Sequence, residues 1–327
     1  MTRVSLLGSM VVTALILLSA PPVGHAQPAA KVARIGVLLF GTPGTDPSLS
    51  ALREGLRELG YVEGRNLAFE YRFADGQTER LPGLALELVH LKPDIIFALG
   101  GDVAPAARTA TTTIPIVVAV SNDPVRSGLV ASFARPGGNI TGVTFISSDL
   151  AAKRLQLLKE IAPKVTRVGV LWNPDHVDPE YRETQVAGRA LDVQIHSLEV
   201  RGPADFETAF RAAAAARLEA IVVVSSRLTL LNRPRIVEHA ARTRTLLVTG
   251  FGPWADSGAL LCYGPDINFV VGHAATHVDR ILKGARPGDL PIQLPTNFEL
   301  IVNLKTARAH GLSVSPSVLA RADKIIE

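Results

Sequence analysis

The stretch RIGVLLF (residues 34–40) decides the fold, because it returns later in the chain as RVGVLWN (167–173). Each copy is a short apolar run that ends in a loop, which is typical of a strand buried on both faces of a parallel sheet. Helical patterns and further apolar runs follow each copy in the same order. The sequence therefore predicts a duplicated α/β fold, in which two similar lobes each contain a doubly wound parallel sheet.

Strand and helix patterns alternate outward from both copies. In the first half, helices are predicted at 49–59 and 81–91, and strands at 34–40, 66–73, 94–100 and 115–120. In the second half, a helix is predicted at 150–161, and strands at 167–173, 193–200, 220–226 and 245–250. Rough self-similarity occurs in any α/β protein, but four strands in matching order favour a duplication.

The rest of the chain is too short for a third lobe, so we expect it to complete the two lobes. Glycine-punctuated extended segments at 137–143 and 257–264 are natural places for the chain to cross between them. We expect lobe 1 to contain residues 32–144 and 265–295, lobe 2 residues 145–264 and 296–327, and the hinge three segments near 143–147, 261–266 and 293–298.

Residues 1–26 have the pattern of a secretory signal peptide. Arg3 precedes an apolar stretch from Leu6 to Leu18, and the small residues Gly24 and Ala26 occupy positions −3 and −1 of a cleavage site. The stretch is shorter than the ~20 apolar residues of a membrane span, although an uncleaved anchor is the alternative. No lipid-anchor cysteine follows it. We expect cleavage, export and a freely diffusing periplasmic protein.

Composition limits the function classes. With 327 residues, of which 47% are hydrophobic and 20% charged, the chain fits a folded protein of about two domains rather than a disordered one. The 34 basic and 30 acidic residues are interleaved, so we expect no nucleic-acid partner. The single cysteine, Cys262, excludes an internal disulfide and multi-cysteine metal sites, and we expect it to be a small buried hydrophobe.

Signatures of enzymes and metal sites are missing. The first strand is not followed by Gly-x-Gly-x-x-Gly, and the chain has no Walker lysine loop and no Gly-x-Ser-x-Gly elbow. His273 and His277 have the i, i+4 spacing of metal ligands, but no third ligand is near them, so we expect a surface or packing role. We therefore expect no catalytic residues, no cofactor and no metal.

The loops after the predicted strands are candidates for ligand binding, because ligands of parallel sheets bind at the carboxyl ends of strands. These loops contain glycines and small hydroxyl side chains, which let backbone N–H groups reach a ligand carboxylate. They span residues 41–43, 100–102, 121–124, 173–175, 225–227 and 250–253. Two features have simpler alternatives: Asp123 before Pro124 is an ordinary helix N-cap, and Asn173-Pro174 is a turn signal.

Five longer stretches carry a resemblance to a known family. They are RIGVLL (34–39), LREGLRELGYVEGRNLAFEYRFADG (52–76), PIVVAVSNDPVRSGLVASFARPGGNITGV (115–143), LLKEIAPKVTRVGVLWNP (157–174) and ILKGARPGDLPIQLPTNFELIVNLKTARAHGL (281–312). In these the chain resembles the ABC-transporter substrate-binding proteins that include tryptophan- and tyrosine-binding proteins. The resemblance implies a type 1 periplasmic-binding-protein fold, in which two lobes close on a small ligand that is passed to a membrane permease.

The resemblance also implies a set of ligand-binding residues. They are Thr42, Gly100, Gly101, Asp102, Ser121, Asp123, Asn173, Ser225, Ser226, Gly250, Phe251 and Asp266. We expect Asp123 to bind a ligand cation. A ligand carboxylate is assigned to Thr42, Ser121 and the Gly100–Gly101 amides. An apolar part of the ligand is assigned to Phe40, Trp172 or Phe251.

The function that the sequence favours is that of a non-catalytic, monomeric receptor of an ABC importer. It would bind a small polar or amino-acid-like solute between two lobes. One alternative is a sensory receptor of the same fold that signals to a membrane kinase. The other is an exported α/β enzyme.

Overall fold

A computed structural model describes residues 32–46, 48–146, 148–176 and 179–327. The predicted signal peptide, residues 1–26, lies outside the described residues. Ala33–Glu327 form one compact unit. In the described part of the chain, none of the helices combines the length and the apolar character that a membrane crossing needs.

The first lobe contains a five-stranded sheet. Its strands are β1 (Ala33–Leu39), β2 (Leu67–Phe73), β3 (Ile95–Leu99), β4 (Ile116–Val120) and β5 (Ile140–Thr144), and its connecting helices are α1 (Ser48–Glu58), α2 (Leu81–His90) and α3 (Ala104–Ala110). The spatial order is β2-β1-β3-β4-β5 and all neighbours are parallel. The carboxyl ends of the five strands therefore lie at one edge of the sheet.

The second lobe contains a seven-stranded sheet in the order β12-β11-β10-β9-β8-β6-β7. Its strands are β6 (Arg167–Trp172), β7 (Gln194–Glu199), β8 (Ala220–Val223), β9 (Leu246–Thr249), β10 (Leu261–Gly264), β11 (Glu299–Asn303) and β12 (Lys324–Ile326). All neighbours are parallel except β10 and β11, which are antiparallel. The sheet thus repeats the first one and adds strands from the end of the chain.

Nine further helices follow the first lobe's three in the described residues. They are α4 (Ala151–Ile161), α5 (Glu180–Ala190), α6 (Phe206–Ala215), α7 (Arg227–Leu231), α8 (Arg233–Thr243), α9 (Pro253–Asp256), α10 (Ile267–Leu282), α11 (Leu304–Ala309) and α12 (Pro316–Leu319). Short 3₁₀ turns lie at Thr78–Arg80, Ser148–Leu150, Pro203–Asp205 and Pro287–Asp289.

The repeated apolar runs form β1 and β6, so the prediction of two α/β lobes with parallel sheets is confirmed. Burial on both faces explains why these strands are apolar throughout. In β8, Ala220 and Val222 belong to the core on one face of the sheet, and Ile221 and Val223 to the core on the other.

The chain returns to both lobes after β10. Helix α10 packs against α1 so closely that a Cβ on Gly55 would lie 2.6 Å from the carbonyl oxygen of Gly272. Val143 and Gln293 then form a parallel bridge beside β5, and β11 joins the second sheet. These contacts support the lobe limits 32–144 with 265–295 and 145–264 with 296–327, which we keep as a proposal.

Strands β5 and β10, after which the chain passes from one lobe to the other, each contain a glycine in tight contact with a neighbouring backbone. A Cβ on Gly142, which has a φ of +143°, would lie 2.0 Å from the carbonyl oxygen of Val118. A Cβ on Gly264 would lie 1.9 Å from the carbonyl oxygen of Gly250. Any larger residue at either position would push two strands apart, because real Cβ atoms do not approach backbone oxygen so closely.

Cys262 is buried in β10, as its apolar surroundings in the sequence predict. Its sulfur lies 3.2 Å from the Thr249 hydroxyl. Burial raises the pKa of the thiol to about 12, so the group stays protonated at neutral pH. It therefore packs as a small apolar side chain.

His273 and His277 each contact a backbone carbonyl oxygen. The Nδ1 atom of His273 lies 3.2 Å from the Phe269 oxygen, and Nε2 of His277 lies 3.0 Å from the Pro291 oxygen. The residues that the structure describes contain no group of three histidine, cysteine, aspartate or glutamate side chains placed to hold a metal ion.

Candidate functional site: the cavity between the lobes

A cavity lies where the carboxyl ends of the two sheets meet. It is lined by residues from the loops after β3, β4, β8 and β9 and from the chain beside them: Gly100, Asp102, Ser121, Phe145, Val223, Ser225, Ser226, Arg227, Thr229, Leu230, Phe251, Trp254 and Ile267. Its volume is about 20 Å³, which is room for about one water molecule. The lobes are therefore closed on each other, and a larger solute can enter only if they separate or side chains move.

Asp102 supplies a buried carboxylate at one end of this cavity. It follows the Gly100-Gly101 turn after β3, its side chain is 5% exposed, and neither carboxylate oxygen accepts a hydrogen bond from the described residues. Nδ1 of His176, an ionisable group, lies 3.7 Å from Oδ1 of Asp102. An ionised carboxylate buried without donors is unfavourable unless a cation comes to it.

Arg227 supplies the opposite charge from the second lobe. It begins α7, directly after Ser226, whose hydroxyl accepts a hydrogen bond from the Thr229 amide and caps the helix. Its stem crosses the cleft and lies against Gly100 of the first lobe. Its side chain is 8% exposed, and Nη1 contacts the Asp46 carboxylate.

Gly100 lets these two charges approach each other. With a φ of +123°, it would place a Cβ 2.9 Å from Cγ of Arg227, 3.3 Å from its Nε and 3.1 Å from Oδ1 of Asp102. Nε and Oδ1 are therefore at most about 6.4 Å apart, the sum of the last two distances. A side chain at residue 100 would fill the space between a cation and an anion that belong to different lobes.

His176 and Ser121 join the lobes beside Asp102. The Ser121 hydroxyl donates to the Ser225 carbonyl across the cleft, at 3.2 Å, and lies 3.1 Å from Nε2 of His176. Because that hydroxyl has one proton, the contact with His176 requires Nε2 to donate. Burial lowers the pKa of His176, although the negative charges of Asp102 and Glu180 oppose this shift.

A buried ion pair supports the loop that carries His176. Arg154 of α4 pairs with Glu180 of α5, and both side chains are 0% exposed. Nε of Arg154 also donates to the Tyr263 carbonyl at 2.8 Å, and a Cβ on Gly250 would lie 2.6 Å from its Nη2. The network links α4 and α5 to the ends of β9 and β10, so it stiffens the cleft side of the second lobe.

The other end of the cavity is apolar. Phe145, directly after β5, and Phe251, after β9, meet edge to face, with ring centroids 5.8 Å apart and planes at 77°. Trp254, Leu230 and Ile267 line the cavity beside them. The cavity therefore has a charged end with hydroxyl groups and an apolar end with aromatic rings.

Six of the twelve residues expected to bind the ligand line this cavity. They are Gly100, Asp102, Ser121, Ser225, Ser226 and Phe251. All six follow a strand at its carboxyl end, the position at which ligands of parallel sheets bind.

Three of the remaining six form turns and helix caps. Oδ1 of Asp123 accepts hydrogen bonds from the amides of Val125 and Arg126, at 2.8 and 3.0 Å, so the capping alternative describes it. Asp266 caps α10 in the same way, at an exposed position. The Thr42 amide donates to Thr45, and the residue is exposed. None of the three lines the cavity.

The last three lie just behind the cavity wall. A Cβ on Gly101 would lie 2.6 Å from Cε1 of His176, so this glycine lets the lobes meet. Asn173 shapes the loop before His176: its Oδ1 accepts from the Asp175 amide at 2.9 Å. Gly250 leaves room for Arg154.

The two other aromatic candidates do not line the cavity. Phe40 is in the core, with 2% exposure. Trp172 stacks on Tyr181 with ring centroids 4.4 Å apart, and its Nε1 donates to Ser197. Of the three, only Phe251 lines the cavity.

Five residues that line the cavity or contact its lining were not predicted from the sequence as candidate site residues. They are the ionisable residues Asp46, His176 and Arg227 and the aromatic residues Phe145 and Trp254. Arg227 had a usable signal, since it is the only charged residue of the predicted loop 225–227. Asp46 and His176 contact the other lobe, and Phe145 and Trp254 line the cavity. No local pattern in the sequence shows either relation.

Comparison with known proteins agrees with this architecture. The family model described as ABC transporter substrate binding protein matches residues 34–326. A tyrosine-binding protein of Clostridioides difficile (strain R20291) is 27% identical over 283 residues, which cover 85% of this chain and 81% of that protein.

Solved structures give the same picture. A conserved domain protein from Vibrio cholerae has 28% identity and a TM-score of 0.84, over 90% of this chain and 100% of that one. A Streptococcus pneumoniae ABC domain in complex with L-Trp has 22% identity and a TM-score of 0.83, over 90% and 99%. The two α/β lobes match those of type 1 periplasmic binding proteins. The chain therefore belongs to the family of ABC transporter substrate binding proteins.

Proposed function

We propose that the protein binds an α-amino acid with an apolar, preferably aromatic, side chain between its lobes and delivers it to the permease of an ABC importer. One observation carries the amino-acid assignment: Asp102 of the first lobe and Arg227 of the second lie on either side of Gly100 in one cavity. A zwitterion has an ammonium group for the first and a carboxylate for the second.

In this proposal Asp102, rather than Asp123, takes the ligand cation. Both oxygens of Asp102 lack a hydrogen-bond donor among the described residues, whereas Oδ1 of Asp123 already accepts two backbone amides. The ligand carboxylate would bind the Arg227 guanidinium and the hydroxyl groups of Ser225 and Ser226. Ser121 would stay between the lobes, as its bond to the Ser225 carbonyl indicates.

The apolar end would hold the ligand side chain. Phe145, Phe251 and Trp254 present aromatic surface, and aromatic rings favour offset or edge-to-face contact with one another. The tyrosine-binding relative and the structural neighbour with L-Trp support an aromatic amino acid. Since the closed cavity holds about one water molecule, loading would require the lobes to open and then close on the solute.

Transport, rather than catalysis or signalling, is the role that the family supports. Delivery to a permease implies that the protein works outside the cytoplasm, in agreement with the signal-peptide pattern of residues 1–26. The Ser121 hydroxyl lies beside His176, but it donates to the Ser225 carbonyl and accepts from Nε2, so the imidazole is not placed to take a proton from this serine. We accordingly propose a non-catalytic receptor in the periplasm.

Calorimetric titration of the purified protein tests the proposal. The panel contains L-tyrosine, L-tryptophan, L-phenylalanine, L-alanine, tyramine, which lacks the carboxylate, and 3-(4-hydroxyphenyl)propionate, which lacks the ammonium group. We expect at least one aromatic amino acid to bind, and each of the two analogues of tyrosine to bind about a hundredfold more weakly than tyrosine, since a charge-assisted bond is lost.

Absence of binding by every amino acid would contradict the proposal, as would equal binding of an analogue. Mass spectrometry of the solute after prolonged incubation separates a receptor from an enzyme: a receptor leaves the solute unchanged.

A further inference from the structure

An ion pair across the cleft engages the same arginine that the ligand carboxylate needs. Asp46 lies between β1 and α1 in the first lobe, and Arg227 begins α7 in the second. The two side chains are 10% and 8% exposed. Water therefore screens the pair less than a surface pair, and its formation favours the closed arrangement of the lobes.

The two partners relate differently to the cavity. Arg227 lines it, and its stem passes Gly100, whereas Asp46 is not among the lining residues. Asp46 thus holds Arg227 from outside the ligand space. A ligand carboxylate inside the cavity can form the same charge-assisted hydrogen bonds with the guanidinium that the Asp46 carboxylate forms from outside it.

Asp46 keeps a second interaction when Arg227 leaves it. Its Oδ1 accepts a hydrogen bond from the Ser48 amide at 3.0 Å, at the start of α1, while Oδ2 contacts Arg227. A carboxylate at a helix N-terminus is favourable by itself. Arg227 can therefore pass to a ligand without leaving Asp46 buried and unpaired.

We propose that Asp46 is an affinity-setting residue: it competes with the ligand carboxylate for Arg227 and so weakens binding of the amino acid. The inference rests on the proposed function. Because a ligand that must displace an existing partner gains less free energy, removal of the Asp46 charge should strengthen binding rather than weaken it.

The variant Asp46→Asn tests the sign of the effect. We expect its Kd for L-tyrosine, or for whichever aromatic amino acid binds the wild type, to be about tenfold lower by calorimetry, corresponding to about 1.4 kcal/mol. Small-angle X-ray scattering of the ligand-free protein should show a larger radius of gyration, since the closed form has lost an ion pair. Asp46→Ser, which retains a capping oxygen, should behave in the same way.

Asp75→Asn is the matched control. Asp75 also pairs with an arginine in the first lobe, Arg80, but both side chains are about 40% exposed and lie outside the cavity. We expect wild-type affinity and wild-type scattering from it.

Weaker or unchanged binding by both Asp46 variants would overturn the proposal, because the ion pair would then persist in the ligand-bound form or be irrelevant. If no amino acid binds the wild type, the proposed function fails, but the scattering measurement still decides whether Asp46 closes the ligand-free cleft. An unchanged radius of gyration in both variants would show that it does not.

Discussion

The loops after β3 and β8 occupy the same place in the two lobes but carry opposite charges. Ala98 of β3 pairs with Leu38 of β1, and Val223 of β8 pairs with Leu171 of β6. Four residues beyond each paired position come Asp102 in the first lobe and Arg227 in the second. Two copies of one architecture thus face each other with a carboxylate and a guanidinium.

This difference teaches how a duplicated fold can recognise an asymmetric ligand. Had both loops carried the same charge, closure would bring like charges together in a site with little water. Opposite charges instead attract the lobes to each other and match the two ends of a zwitterion. The surrounding residues differ as well, since the first loop contains two glycines and the second two serines.

The largest effect is expected when the first lobe loses its charge. Asp102→Asn should weaken binding of the aromatic amino acid by about a hundredfold, because the ammonium group loses a charge-assisted partner. The same variant should raise the melting temperature, since it removes a buried carboxylate without donors. Calorimetry and differential scanning fluorimetry measure the two changes.

Asp123→Asn is the control for that variant, because asparagine retains the oxygen that caps the following turn. It should bind as the wild type does. A loss of affinity in Asp123→Asn but not in Asp102→Asn would return the cation site to Asp123.

A smaller effect is expected at the apolar end of the cavity. Phe251→Leu should weaken binding of an aromatic amino acid by roughly threefold to tenfold, since an edge-to-face aromatic pair is worth about 0.5–1.5 kcal/mol. Binding of L-leucine, measured in the same titrations, should change less. The ratio of the two affinities is the measure of side-chain selectivity.

Phe210→Leu is the matched substitution away from the cavity. Phe210 is buried and stacks on His239 in the second lobe. This variant should lower the melting temperature but leave the affinity ratio as it is. A change of that ratio in Phe210→Leu would show that the apolar end does not act locally.

The smallest effect concerns His176, which links the lobes beside Asp102. Burial lowers its pKa in the folded protein, whereas the unfolded chain protonates near the ordinary value of about 6.5. Above this pH His176 is neutral in both the folded and the unfolded chain, and its contribution to the free energy of unfolding is fully present. As the pH falls below it, the unfolded chain takes up the proton first, so the free energy of unfolding decreases.

His176→Gln should therefore reduce the difference in melting temperature between pH 7.5 and 5.5 by about 2 °C, the size expected for less than 1 kcal/mol in a chain of this length. His90→Gln, at an exposed position, should keep the wild-type difference. Part of the pH dependence should remain in His176→Gln, because burial also lowers the pKa of His277 and His239. An unchanged difference would mean that His176 does not contribute.

The strands could be predicted from the sequence because burial on both faces leaves an unbroken apolar run, as in β1 and β6. Several helices were not predicted. The α5 sequence EYRETQVAGRA is mostly polar, and the alanines of α6 give little contrast between a buried and an exposed face. Their positions follow from packing against the sheet, which local patterns do not contain.

The position of the candidate site, at the carboxyl ends of the strands, could also be predicted, but the roles of its individual residues could not. Asp102 and Asp123 both follow buried strands. The Asp123-Pro124 pair offered a local capping signal, but no local pattern shows that the Asp102 oxygens lack hydrogen-bond donors among the described residues. The structure distinguishes them through the Val125 and Arg126 amides. Asp46 and Arg227 are far apart in the chain, and only the closed arrangement of the lobes pairs them.

The glycines of the crossing strands bear on how such a receptor can acquire a new ligand. Gly142 and Gly264 lie where backbones touch, so a larger residue at either position would push apart two neighbouring chain segments of its own lobe, next to a crossing between the lobes. The cleft loops have no such backbone contact at Asp102 and Arg227, whose side chains give the two copies opposite charges. Mutant libraries for altered ligand specificity should therefore vary the cleft loops and keep the glycines near the crossings. The glycines allow the close backbone contacts, whereas the loop side chains determine which ligand groups can bind.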